Sequence, residues 1–486
     1  MSQISFICKR THYLRRRNEQ VSNNMTLDEN EKQPEQPPQN QSGAQNTAAS
    51  SASEPIANPF PHDPDEPEIS DNLEPPPIRH RATNIMIRAC QLLLFLTGLV
   101  IAIFVIPRGH LEQMQYAGFL IALSMSWWLT PEIRSRALKL GLVDKPGEER
   151  RIHKTAVPRL GGVAIFISIL FTLGTLVAIA GRLPRDARGV EGILGIAIGG
   201  TLIFVLGLLD DLESIRARDK FIVQILAATA AYSLGVRIRS IPIPLNMDLD
   251  LGFFTIQGGV PIELGPLSLP ITVLWLVGVA NAVNLIDGMD GLAAGVSAIS
   301  AITIWSVALS QSIVRPYAAL MAAVVAGALF GFLRWNFNPA RIFLGDSGAY
   351  LVGFILGAIS ITGVIKGVAA ATVIVPTFLL VGLILFFPLL DTSWAVVRRM
   401  AAGRSIFSPD AGHIHHRLLR TGLSQKNVAY IIYGVSALLG LVATCFVNQH
   451  WYFLKLTGCV LVMALFFAEV LNRHRQRGGK KQAKKN

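Results

Sequence analysis

From residue 86 onward the chain is a succession of apolar runs, each near the roughly 20 residues a helix needs to cross a hydrocarbon core, separated by short polar loops. In lipid every backbone N–H and C=O must be satisfied inside the chain, so such runs fold as helices packed side by side. They lie at 86–106, 115–133, 160–180, 191–209, 219–235, 268–286, 291–310, 316–334, 348–365, 369–390, 427–446 and 451–471. The expectation is an all-α polytopic membrane protein of about twelve transmembrane helices. A hydrophobic share of 51% against 16% charged excludes an ordinary soluble domain. Between 238 and 269 the sequence alternates and is punctuated by Pro and Gly, which predicts a small β-hairpin on the far side of the membrane from the termini.

Residues 1–80 are rich in Pro, Asn, Gln, Ser and acids and are too polar to bury a core, so they read as a disordered tail. Its basic cluster, Lys9, Arg10, Arg15, Arg16 and Arg17, is followed by polar sequence, so no cleaved leader is implied. A net charge of +12 would suggest nucleic acid in a soluble protein, but here Lys and Arg report topology. With a cytoplasmic amino end, loops on that side beyond the tail carry twenty-six of them, seven in the basic tail 472–486. The opposite loops carry eight: Arg108, Arg182, Arg185, Arg188, Arg237, Arg239, Arg315 and Lys366. Both termini are therefore expected in the cytoplasm. Cys8, Cys90, Cys445 and Cys459 have no metal-site spacing.

That topology puts five polar motifs at the cytoplasmic ends of different helices: GLVDKPGEERRIHKTAVPRLGG (141–162), GLLDDLESIRARDKF (207–221), NAVNLIDGMDG (281–291), NPARIFLGDSG (338–348) and SPDAGHIHHRL (408–418). Asp210 and Asp211 directly follow an apolar run, where desolvation makes neighbouring carboxylates costly without a cation. Asn281, Asn284, Asp287 and Asp290 stand three apart and would line one face of a helix end, which Gly288 and Gly291 then break. Asp346, between two glycines, either caps the next crossing with Ser347 or serves a hard cation that takes oxygen ligands and keeps places for phosphate. Asn284 would suit the same ion. His413, His415 and His416, with Arg404, Arg417 and Arg420, offer donors to phosphate oxygens, and their spacing and the lack of a nearby cysteine argue against zinc.

Taken in order over residues 115 to about 425, these motifs resemble the polyprenyl-phosphate N-acetylhexosamine-1-phosphate transferase family, glycosyltransferase family 4, whose members begin bacterial surface polymers. The resemblance implies a transferase domain over 115–471, with 86–106 as an extra amino-terminal crossing. It implies attack by a polyprenyl phosphate lipid acceptor on the β-phosphorus of a UDP-sugar donor, with Mg²⁺ as cofactor and Mn²⁺ as a substitute. Carried over by motif, Asn284 and Asp346 are the metal ligands, and Asp210, Asp211 and Asp287 are the catalytic carboxylates. Lys220 contacts pyrophosphate, Phe343 stacks on uracil, and Asp290 lies where the uridine is read. His413, His415 and His416 lie near the sugar diphosphate. Whether the Asp210/Asp211 pair deprotonates the acceptor or positions Lys220 or a second cation stays open.

The HIHH form and the preceding SPD resemble the subgroup that uses UDP-N-acetylglucosamine, with undecaprenyl phosphate in a bacterial plasma membrane and no nucleic-acid partner. The resemblance leaves room for a homodimer. The alternatives are a muramoyl-pentapeptide-phosphate transferase and, from another class, a membrane transporter. Transport would place acids at the midplane rather than at one face.

Overall fold

The structure is a computed structural model that describes residues 79–105, 114–144, 157–180, 187–241, 249–250, 255–256, 262–310, 315–365, 377–401, 403 and 413–447. The expected tails 1–80 and 472–486, most of 141–157, residues 404–412 and the crossing 451–471 lie wholly or largely outside the described residues.

Two helices, α1 (Arg79–Val105) and α2 (Met114–Lys139), pack together. A short ladder of β1 (Val143–Asp144) and β2 (Val157–Pro158) precedes α3 (Gly161–Ala180), α4 (Ala187–Leu212) and α5 (Ala217–Ser233). The interval 238–269 holds two antiparallel ladders, β3 (Ser240–Ile241) with β6 (Ile262–Glu263) and β4 (Leu249–Asp250) with β5 (Thr255–Ile256). Then follow α6 (Ser268–Ile286), α7 (Leu292–Ala308), α8 (Pro316–Asn336) and α9 (Gly345–Ile359), which runs on as a π-helix over Ser360–Ile365. The remaining helices are α10 (Thr377–Ile384), α11 (Phe386–Ala401), α12 (Ile414–Arg420) and α13 (Gln425–Val447).

Among the described residues seven helices are long and apolar enough to cross a membrane: Met86–Phe104, Gly161–Ile179, Gly192–Leu212, Gly265–Ile286, Pro316–Asn336, Gly345–Ile365 and Gln425–Val447. The expected crossings 219–235 and 291–310 correspond to α5 and α7, helices of 17 residues each. The segment Gly345–Ile365 is 94% buried, against 17% for Met86–Phe104. A helix apolar on all sides belongs inside, and α9 is the centre of the bundle, touched by α3, α4, α6, α7 and α8. α1 is peripheral and turns Leu92, Leu93, Val100 and Phe104 outward.

The expected crossing 369–390 is corrected. Its described part breaks at Leu385, and α11 continues to Ala401. Pro388 has no N–H to donate to the carbonyl four residues back, that of Ile384, and its ring crowds it. The Ser300 hydroxyl of α7 donates to that carbonyl at 2.9 Å instead. Beyond the break α11 is amphipathic, with Phe387, Asp391, Ala395 and Arg399 buried and Leu390, Trp394, Val397 and Met400 exposed.

Candidate active site

Asp210 and Asp211 fall in the last turn of α4, where the helix dipole disfavours negative charge. Two compensations are built around them. Lys220, in the first turn of α5, forms an ion pair with Asp210, whose other oxygen accepts the Ile215 N–H at 2.9 Å. Asp211 accepts the N–H of Asp346 at 2.8 Å and that of Ser347 at 3.0 Å, so it caps the amino end of α9 from another helix. The residue preceding α9, Leu344, supplies no side-chain cap. The alternative of local capping by Asp346 with Ser347 therefore gives way to a cap that arrives from 135 residues away.

Freed from capping, the Asp346 carboxylate accepts the Asn284 side-chain amide at 2.7 Å, and its other oxygen lies 3.9 Å from the Lys220 ammonium. Asp210, Asp211, Lys220, Asn284 and Asp346 thus form one connected group where the ends of α4 and α6 meet the starts of α5 and α9. This closeness requires glycine. A Cβ at Gly207 would stand 2.5 Å from Ser347 Cα and 2.6 Å from the Asp346 carbonyl oxygen. Gly207→Ala is expected to force α4 off the start of α9, costing about 1–3 kcal/mol. It should lower both the thermal midpoint in detergent and turnover, and an unchanged midpoint would contradict this packing.

The expected single stripe of Asn281, Asn284, Asp287 and Asp290 is corrected, because α6 ends at Ile286 and Gly291, at φ 73°, reverses the chain. Asn281 ties α6 to α5 through Gln224 at 2.7 Å, while Asn284 faces Asp346. Asp287 sits at the helix end, and burial, then the charges of Asp346, Asp211 and Asp290, push its carboxyl well above the ordinary carboxylate range against the pull of Arg159. Asp290, 4% exposed, accepts the Asn338 side-chain amide at 3.1 Å and the Ala340 N–H at 2.9 Å, and so anchors the NPAR loop. Phe343, half-buried, donates its N–H to the Pro158 carbonyl at 2.8 Å and accepts from Gly161 at 3.0 Å, joining the PRLGG and FLGDSG motifs through the backbone.

The described part of the histidine motif meets the turn that follows α6. His413 precedes α12, and its Nδ1 lies 2.8 Å from Asp391 Oδ2. Asp391 Oδ1 accepts the Ile414 N–H at 2.8 Å. Burial opposes the charge on Asp391, but His413 and the Ile414 amide hold its carboxyl below its usual range. His415 is buried against the NLIDGMDG turn, its Nε2 lying 2.9 Å from where a Cβ at Gly288 would be. The His415 and His416 rings are 4.3 Å apart. Burial first, then the His416 charge, lowers the His415 imidazole to about 3. Below about pH 6.5 the unfolded chain takes a proton that folded His415 refuses until about pH 3. Stability is therefore expected to decline as pH falls through that window. His415→Phe should flatten the decline in a plot of thermal midpoint against pH, and an unaltered slope would contradict it.

Asp391 is a site residue that the sequence reading missed. Its signal was present, since an acid following FFPLL is out of place in an apolar segment unless it has a partner.

The donor set also bears on a metal. Among the described residues no group of three His, Cys, Asp or Glu is gathered for one ion. One carboxylate and one amide, Asp346 and Asn284, stand together. That set fits Mg²⁺, which is commonly held by one or two carboxylates together with substrate phosphates and water.

A model of glycosyl transferase family 4 matches residues 193–364. A probable undecaprenyl-phosphate N-acetylglucosaminyl 1-phosphate transferase of Bacillus subtilis is 34% identical over 353 residues, 72% of this chain and 90% of that protein. A decaprenyl-phosphate N-acetylglucosaminephosphotransferase of Mycobacterium tuberculosis is 36% identical over 370 residues, 72% of this chain and 87% of the relative. A phospho-N-acetylmuramoyl-pentapeptide-transferase of Desulforudis audaxviator is 31% identical over 314 residues, covering 61% of this chain and 86% of the relative.

Proposed function

Since the chain belongs to glycosyl transferase family 4, we propose that it transfers N-acetylglucosamine-1-phosphate from UDP-N-acetylglucosamine to undecaprenyl phosphate. It releases UMP and makes the lipid-linked first intermediate of a cell-surface polysaccharide. The observation that carries this reading is the gathering of Asp210, Asp211, Lys220, Asn284 and Asp346 into one network. The Bacillus subtilis and Mycobacterium tuberculosis relatives, named for N-acetylglucosamine, are 34% and 36% identical over 72% of the chain, against 31% over 61% for the relative named for the muramoyl-pentapeptide, which favours the smaller donor. The excess of Lys and Arg in one set of loops supports a cytoplasmic site in a multi-pass membrane protein.

An oxygen of the lipid phosphate forms a bond to the β-phosphorus of the donor, and the bond from that phosphorus to the bridging oxygen breaks. The bridging oxygen and its electron pair leave with UMP, and the product is a polyprenyl-diphospho-sugar. Such transfers need alignment and charge neutralisation more than covalent help. Mg²⁺ held by Asp346 and Asn284 would supply positive charge to the diphosphate oxygens, with Mn²⁺ able to substitute. Lys220, paired with Asp210, presents an ammonium to the same oxygens, while Asp211 fixes the start of α9 and so the direction of Asp346. A phosphate monoester, with its second pKa near 6, is mostly dianionic at neutral pH. The acceptor therefore needs no base, and the tie between Asp210 and Lys220 favours a positioning task for that carboxylate.

The test is UMP release by purified protein in detergent given UDP-N-acetylglucosamine, with and without undecaprenyl phosphate, and with Mg²⁺ or a chelator. Release that requires both lipid and metal is expected. Release with another UDP-sugar alone would replace the donor, and none with any donor would overturn the reading.

A further inference from the structure

We propose that Asp391 is a positioning residue that holds His413 with Nδ1 turned to itself and Nε2 turned to the sugar-nucleotide diphosphate. This rests on the transferase reading above. Asp391 is 2% exposed and His413 6%, so the pair forms away from bulk water, where a charge-assisted hydrogen bond is strong and an unpaired carboxylate is costly. Both carboxylate oxygens are used, one on the ring at 2.8 Å and one on the Ile414 amide at 2.8 Å, so ring and backbone are held together and the imidazole has little freedom to turn. Asp391 can only accept, so the proton on Nδ1 belongs to the histidine. A carboxylate behind one ring nitrogen fixes the tautomer and the orientation of the ring. Among the described residues Nε2 of His413 makes no hydrogen bond, and as an imidazolium, in which both ring nitrogens donate, the side chain would give that second N–H to an anionic ligand.

The neighbouring residues point the same way. Asp391 lies on the buried row of α11, a helix that packs against α6, which carries Asn284. His415, two residues after His413, is buried against Gly288 at the turn that follows α6. The dyad therefore connects the histidine motif to the helix that bears the proposed metal ligand. His415, held neutral, has no charge to offer a diphosphate, whereas His413 has the Asp391 carboxylate behind it.

The test is a double-mutant cycle on the full chain in detergent, with Asp391→Asn, His413→Ala and the pair together, and Asp391→Glu as the conservative variant. The readouts are kcat and KM for UDP-N-acetylglucosamine and the thermal midpoint. Asp391→Asn should lower kcat/KM by about 10–100-fold, the range for a residue that orients another. It should have little further effect once His413 is Ala, and Asp391→Glu should recover part of the loss. Where His413→Ala leaves too little turnover to measure, the same cycle is read on UDP-N-acetylglucosamine binding by calorimetry. Wild-type kcat/KM in Asp391→Asn would overturn the proposal, as would an equal loss in both backgrounds with a lowered midpoint, which marks a purely structural residue. Wild-type protein that neither binds nor turns over any UDP-sugar would overturn the transferase reading itself, a result distinct from either.

Discussion

Asp346→Ala is expected to lower turnover by at least about a thousand-fold, near the upper end of what losing one preorganised electrostatic contact costs. The fold should survive, because the contact that secures α9 uses the Asp346 backbone N–H, which the substitution keeps. Asn284→Ala should cost about a hundred-fold and raise the Mg²⁺ concentration needed for half-maximal rate, since the amide supplies half of the paired donor set. Turnover against Mg²⁺ concentration, with thermal midpoint and membrane insertion as controls, measures both. Normal activity in either variant would contradict the metal assignment.

Asp211→Ala is expected to lose stability as well as activity. Its carboxylate accepts two backbone amides at the start of the most enclosed helix of the bundle. Each buried donor left without a partner costs about 1–3 kcal/mol, so the pair represents a sizeable part of a typical folding free energy of about 5–15 kcal/mol. Asp210→Ala makes the informative comparison. It should slow turnover through Lys220 and lower the thermal midpoint less, since one backbone amide and one ammonium lose their acceptor there rather than the cap of α9. Equal midpoints for wild type and Asp211→Ala would contradict the capping role.

Most residues that the structure brings together at the candidate site could be singled out in the sequence because each motif carries its own signal: paired acids after an apolar run, amides and acids before a glycine turn, clustered histidines. Which member of a pair does what could not be read there. Asp210 and Asp211 are adjacent and alike in sequence, and only the arrival of Lys220 at one and the amino end of α9 at the other separates them. The stripe expected from spacing failed because α6 stops at Ile286, which sends Asp290 to the NPAR loop while Asn284 stays on the helix. Similarly, the expected crossing 369–390 runs straight through Pro388, and the break there becomes tolerable through a serine on another helix, Ser300. Asp391 was missed because its partner lies 22 residues on, just before a separate helix. Contacts of this kind depend on tertiary packing, and no local pattern encodes them.

In the proposed reaction phosphorus, not the sugar alone, passes to the lipid. UDP-N-acetylglucosamine labelled in its β-phosphate, incubated with the protein, Mg²⁺ and undecaprenyl phosphate, tests it directly. The label is expected to move into the lipid fraction together with the sugar, leaving unlabelled UMP as the water-soluble product. Label retained in water-soluble UDP while the sugar moves to the lipid would contradict it.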